Sequence, residues 1–173
     1  MTPKHENRWY ALYVRPRHEK TVCSQLEAKQ QESFLPLCRV RNRWADRWKT
    51  VCLPLFPGYV FSRFDVAYRS SILATSGVID VVRLGSEPAP VDTAQIEAIR
   101  LIVNSTAFAE PYPHLVRGDC VMMRGGPFNG LSGTLMVVRN RLRLVVSVEL
   151  LGRSVLVEID RDWVVPFPLS KLA

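Results

Sequence analysis

Cations alternate with aromatic rings along residues 39–49: Arg39, Arg41, Arg43, Arg47 and Lys49 are interleaved with Trp44 and Trp48. A second basic cluster, Arg15, Arg17, His18 and Lys20, stands at the front of a segment with helical periodicity. Guanidinium and ammonium groups beside flat rings suit the phosphate backbone and stacked bases of a nucleic acid. The same residues suit a well-solvated hairpin tip with its tryptophans folded back on a sheet, and both readings stand. Cations at the front of a helix oppose its dipole. A site that accepts this cost is suited to phosphates; otherwise Glu19 and solvent screen the charge.

Covalent chemistry finds less support. His5, His18 and His114 lie in three separate segments, and no GxSxG, Walker loop or HExxH is present. Asp160 and Asp162 fall in the last loop and read as solvated. Cys23, Cys38, Cys52 and Cys120 show no CxxC spacing and read as free thiols. No enzyme activity, metal or cofactor is expected. No apolar run approaches the eighteen or so residues of a membrane span. MTPKHENRWY lacks an apolar signal region, so a cytoplasmic location is expected.

The net charge of +7 is unevenly placed. Residues 1–63 carry 12 Lys+Arg against 5 Asp+Glu, residues 64–110 carry 3 against 6, and residues 111–173 carry 8 against 5. The basic excess at the front points to a polyanion contact or to a basic solvated surface. At 173 residues, with 47% hydrophobic and 23% charged residues, the chain fits one medium or two small globular domains.

The elements that must position these groups follow from periodicity. Arg8 to Arg15 alternates as a strand, with Trp9, Ala11 and Tyr13 on one face and Tyr10, Leu12 and Val14 on the other. Pro16 ends it. Arg17 to Gln31 reads as an amphipathic helix with Val22 and Leu26 inward. Phe34 to Val40 is a short strand interrupted by Pro36. The Arg/Trp stretch reads as a hairpin ending in strand Thr50 to Leu55. Asp65 to Thr75 reads as a short helix, Val78 to Leu84 as a strand, and Val91 to Val103 as a helix capped by Asp92 or Thr93.

Leu53 to Phe64, LPLFPGYVFSRF, is the densest apolar stretch. Pro57-Gly58 reads as a turn or bulge. From Tyr59 onward, Tyr59, Phe61 and Arg63 take one face and Val60, Ser62 and Phe64 the other. Large apolar groups therefore point both ways. Either the strand is buried on both faces, or one face awaits a partner protein.

Asn104 to His114 contains Pro111 and Pro113 and reads as a linker. Beyond it the pattern is all β: Leu115 to Met123, Gly133 to Arg139, Arg143 to Leu150 and Ser154 to Ile159, joined by Gly-rich or short turns. The expected fold is α+β: an N-terminal antiparallel sheet flanked by helices (residues 1–104), a linker (105–114) and a small SH3-like barrel (115–173).

RWYALYVRPRHEK, LFPGYVF, GVIDVVR and PAPV resemble, in order, landmarks of the N-terminal domain of the NusG/RfaH family of transcription elongation factors. VRGDCVMMRGGPFNGLSGTL and RLRLVVSVELLGRSVLVEID resemble that family's KOW barrel. RPRHEK, the Arg/Trp hairpin and LFPGYVF look closer to the specialised antiterminators, and the barrel closer to NusG itself. Nothing in the barrel offers an alternate helical hairpin, so no fold switch is expected.

The resemblance implies an antitermination factor, acting as a monomer, that docks on the β′ clamp helices of RNA polymerase, bridges the cleft and suppresses pausing. It implies Tyr13, Phe56, Pro57, Tyr59 and Phe61 as the polymerase-binding face. It places Arg15, Arg17 and Lys20 against the non-template DNA strand. The family's contact with the β gate loop falls near Arg69 to Thr75, where no close motif is present. Phe128, Leu150, Leu151 and Arg153 match barrel positions for NusE, the ribosomal protein, or for Rho. The competing expectation is a basic nucleic-acid-binding or ribosome-associated module without polymerase docking.

Overall fold

The computed structural model describes residues 6–44, 47–112, 118–138 and 140–166. The readings that concern His5 and His114, and the side chains of Arg43 and Trp44, lie outside the described residues. Two compact units divide the chain: Met1–Leu37 with Cys52–Ile96, and Cys38–Val51 with Glu97–Ala173.

The first unit is built on strand β1 (Arg8–Val14). Helix α1 (Glu19–Ala28) and strand β2 (Ser33–Phe34) follow. Pro36 separates β2 from the hairpin strands β3 (Leu37–Trp44) and β4 (Arg47–Pro54), of which Cys38–Val51 group with the second unit. Strand β5 (Tyr59–Phe64) leads through a 3-10 turn (Val66–Tyr68) into helix α2 (Arg69–Leu73). Then come β6 (Val78–Val81), a two-residue pair β7 (Arg83–Leu84) and β8 (Glu87–Pro88), and β9 (Pro90–Val91).

The main sheet runs β2-β5-β1-β6, with β9 also on β1, and every pairing is antiparallel. Both faces of β1 and β5 are largely buried, with Trp9, Ala11 and Phe61 on one side and Tyr10, Leu12, Val14, Val60 and Phe64 on the other. Tyr10, Leu12 and Val14 meet Val60 and Phe64, and α1 covers them with Val22, Cys23 and Leu26 while α2 adds Ile72. Burial pushes the Cys23 thiol up, which keeps it protonated and inert.

Helix α3 (Thr93–Asn104) starts where Asp92 accepts the Ala94 amide at 2.9 Å, the N-cap bond expected of an Asp there. Strand β10 (Ala109–Tyr112) pairs with β14 (Arg153–Glu158). This corrects the reading of residues 105–114 as linker throughout. Pro111 hides the strand in the sequence. It is tolerated because, among the described residues, β10 is the outermost strand of its sheet, with a partner on one side alone.

The second unit's sheet runs β10-β14-β13-β12-β11-β15, with β11 (Cys120–Met123), β12 (Ser132–Val138), β13 (Arg141–Val148) and β15 (Val164–Pro166). Its pairings are all antiparallel and form an open path from β10 to β15 among the described residues. Val121, Met123, Leu144, Val148, Val155 and Val157 are buried.

One charge is buried with them. Arg143 on β13 is 9% exposed, and its guanidinium lies 5.5 Å from the Phe108 ring and 3.5 Å from Glu158. Its Nε and Nη1 meet no hydrogen-bond acceptor among the described residues. Buried donors without acceptors carry a desolvation cost. Arg143→Met, apolar and of similar reach, is therefore expected to hold or raise the unfolding temperature of the full chain. Glu158→Ala leaves the guanidinium without its carboxylate and should lower stability by about 1–3 kcal/mol. Denaturant titration of both variants checks the pair.

Candidate functional site

The candidate site forms at the end of β1 and the start of β5. Tyr13 and Tyr59 are directly opposed across the two strands, with ring centroids 5.7 Å apart. Tyr13 is 44% exposed and Tyr59 is half-buried. Pro57, in the turn before β5, is exposed.

Phe56 and Phe61 correct the expected five-residue face. They are 1% and 0% exposed, so neither ring lies on the surface of the chain. Phe61 lies between Ala11 of β1 and Phe34 of β2, and Phe56 meets its edge at 5.7 Å. An interior position on a strand flanked on both sides buries Phe61. Tyr59 shares its face but sits at the strand's open end. The exposed apolar site is thus Tyr13, Tyr59 and Pro57, standing on a floor that includes Phe56 and Phe61.

The turn that carries Pro57 is held by a residue the sequence reading credited only with screening charge. Glu19, in the first turn of α1, is 6% exposed, and its carboxylate accepts the Gly58 amide at 2.9 Å. The Gly58 carbonyl accepts the Val14 amide at 2.9 Å, and the Gly77 carbonyl accepts the next amide, Arg15, at 2.8 Å. Gly58 and Gly77 adopt φ of +86° and +97°, and a side chain at Gly77 would collide with Val22. Both positions therefore require glycine. The signal for Glu19 was available: an acidic residue in a helix's first turn, and a Pro-Gly turn whose amide lies outside the ladder.

Arg15, Arg17 and Lys20, the expected DNA contacts, are all exposed on the loop and first turn after β1. Arg17 takes a left-handed conformation, φ 67°. The Lys20 ammonium donates to the Cys52 carbonyl at 2.9 Å. The structure brings these cations onto the segment that immediately follows Tyr13.

In the second unit, Phe128 corrects the expected partner site. It closes a 3-10 turn (Gly126–Phe128) and is fully buried. Leu150 and Leu151 lie half-buried in another 3-10 turn (Glu149–Leu151), and Arg153 opens β14 opposite Val148. Those three stay together at one tip, while Phe128 belongs to the interior.

Among the described residues no group of three or more His, Cys, Asp or Glu could hold a metal ion. No helix among them is long and apolar enough to cross a membrane. Asp160 accepts the Asp162 amide at 3.1 Å and so caps a 3-10 turn (Arg161–Trp163).

Comparison with known proteins agrees with this architecture. Residues 7–100 match the family model described as transcription termination factor NusG. The transcription termination/antitermination protein NusG of Borreliella burgdorferi is 26% identical over 173 residues, covering 88% of this chain and 94% of its own. Its counterpart in Thermus thermophilus is 26% identical over 178 residues, covering 91% and 97%. A solved structure described as domain interaction in Thermotoga maritima NusG aligns with a TM-score of 0.57 at 21% identity, covering 94% of this chain and 98% of that one. That likeness concerns the fold.

The Glu19 bond makes a testable demand. Glu19→Ala removes the acceptor for Gly58 and should cost about 1–3 kcal/mol in denaturant unfolding of the full chain. Glu19→Gln keeps a carbonyl oxygen there and should cost less than half as much. Equal losses would mean that the bond to Gly58 is not what holds the turn.

Proposed function

The chain belongs to the NusG family, and we propose from that premise that it docks on the β′ clamp helices of RNA polymerase through Tyr13, Tyr59 and Pro57. Members of the family are transcription termination/antitermination factors, and this chain is one of them. The observation that carries the docking assignment is the opposed Tyr13–Tyr59 pair, the first ring exposed and the second half-buried, beside the pinned Pro57-Gly58 turn. Soluble domains normally turn such rings inward, and aromatic anchors dominate the energetics of protein interfaces. Phe56 and Phe61 support the site from beneath and do not touch the partner.

Docked there, the factor bridges the polymerase cleft, disfavours opening of the clamp and shortens pauses. Arg15, Arg17 and Lys20 contact the non-template strand, where exposed cations on one short segment meet phosphates. The six-stranded sheet stands where the family has its SH3-like KOW barrel. Leu150, Leu151 and Arg153 at its tip recruit NusE or Rho. The boundaries proposed are a polymerase-binding domain over residues 1–104 and a barrel over 115–173, with β10 joining the barrel's sheet.

The test is a paused-elongation assay with purified polymerase. The wild-type chain is expected to speed pause escape. Tyr13→Ala with Tyr59→Ala should abolish this and weaken polymerase binding by roughly tenfold or more. Arg15→Glu with Lys20→Glu should weaken strand contact while docking is partly kept. Wild-type activity retained by the double tyrosine variant would sink the docking assignment. If polymerase co-purification is lost on nuclease treatment, the chain acts as a nucleic-acid-binding module instead.

A further inference from the structure

The β3–β4 hairpin carries a surface that the polymerase reading leaves unused. Residues 39–49 hold Arg39, Arg41, Arg43, Arg47 and Lys49 against one acid, Asp46. The side chains of Arg39, Arg41, Arg47 and Lys49 are exposed. Trp48 is 61% exposed, and the Arg41 guanidinium lies 5.5 Å from its ring centroid. The sequence left two readings open, and the structure separates them: Trp48 is not folded back on a sheet. An indole this exposed loses hydrophobic free energy unless something covers it.

We propose that this hairpin is a binding site for single-stranded nucleic acid, with a base stacked on Trp48 and phosphates held by Arg39, Arg41 and Arg47. The argument rests on matched chemistry. A flat exposed ring accepts an unpaired base, whereas the bases of a duplex present their faces to one another and not to a protein ring. Exposed cations on the same two strands supply the sequence-independent phosphate attraction. Arg41 packs against the ring and so holds the indole and a phosphate-binding group together. The surface uses neither Tyr13 and Tyr59 nor Arg15, Arg17 and Lys20, so it succeeds or fails apart from the polymerase assignment.

The test uses the full chain without polymerase. Fluorescence anisotropy follows binding to labelled 15-nucleotide single strands of DNA and of RNA, and to a DNA duplex of equal length, over a salt series. Trp48→Ala should weaken single-strand binding about 5- to 100-fold, with the duplex little changed. Trp48→Phe should recover part of the loss. Arg39→Gln with Arg47→Gln should lower the slope of log affinity against log salt by about 1.4 on single strands. The DNA and RNA arms decide which strand is preferred. Circular dichroism confirms that each variant is folded. Equal losses on duplex and single strand, or wild-type binding by Trp48→Ala, would overturn the stacking site.

Discussion

One buried carboxylate fixes the geometry on which the first unit's surface depends. Glu19 stands in the first turn of α1, yet it faces inward and takes the amide of Gly58. A charged group without water must find donors, and the helix's own N-terminal dipole favours a negative charge in that turn. The bond therefore ties the sequence-distant Pro57-Gly58 turn to the helix start and, through the Gly58 carbonyl, to the end of β1. Tyr13 and Tyr59 leave the sheet on either side of this knot. Their exposure is a property of where the strands stop.

The same constraint explains why a short motif divides into floor and surface. Phe56, Tyr59 and Phe61 lie within six residues of one another, and residue type alone ranks them alike. Phe61 is hemmed in by β1 and β2, and Phe56 packs edge-on against it. Tyr59 pairs with the last ring before β1 gives way to the Arg15–Lys20 segment. A phenol tolerates the boundary because one end of it is apolar and the other can face water.

Most elements were legible in the sequence. The alternation in β1 and β5 identified both strands and sorted their faces, and Asp92 marked the start of α3. The Arg/Trp stretch was readable as a hairpin leading into a strand from Thr50 to Leu55, and the structure has β4 there, over Arg47–Pro54. Depth was not legible. Nothing local distinguishes Phe61 from Tyr59, or announces that Phe128 turns inward, since both outcomes depend on strands far away in the chain. Strand β10 was missed because four residues with a proline give no periodic signal, and its pairing with β14 is a tertiary event. Closure of the second sheet was read from strand spacing, and spacing does not specify which strands end a ladder.

The two outer strands of the six-stranded sheet share a feature. Pro111 sits in β10 and Pro166 in β15. A proline has no amide N–H, so each of these outer strands carries one backbone donor fewer for another molecule to pair with. Placed at both margins, these rings discourage runaway strand-by-strand stacking between copies, the route that ends in insoluble fibrils.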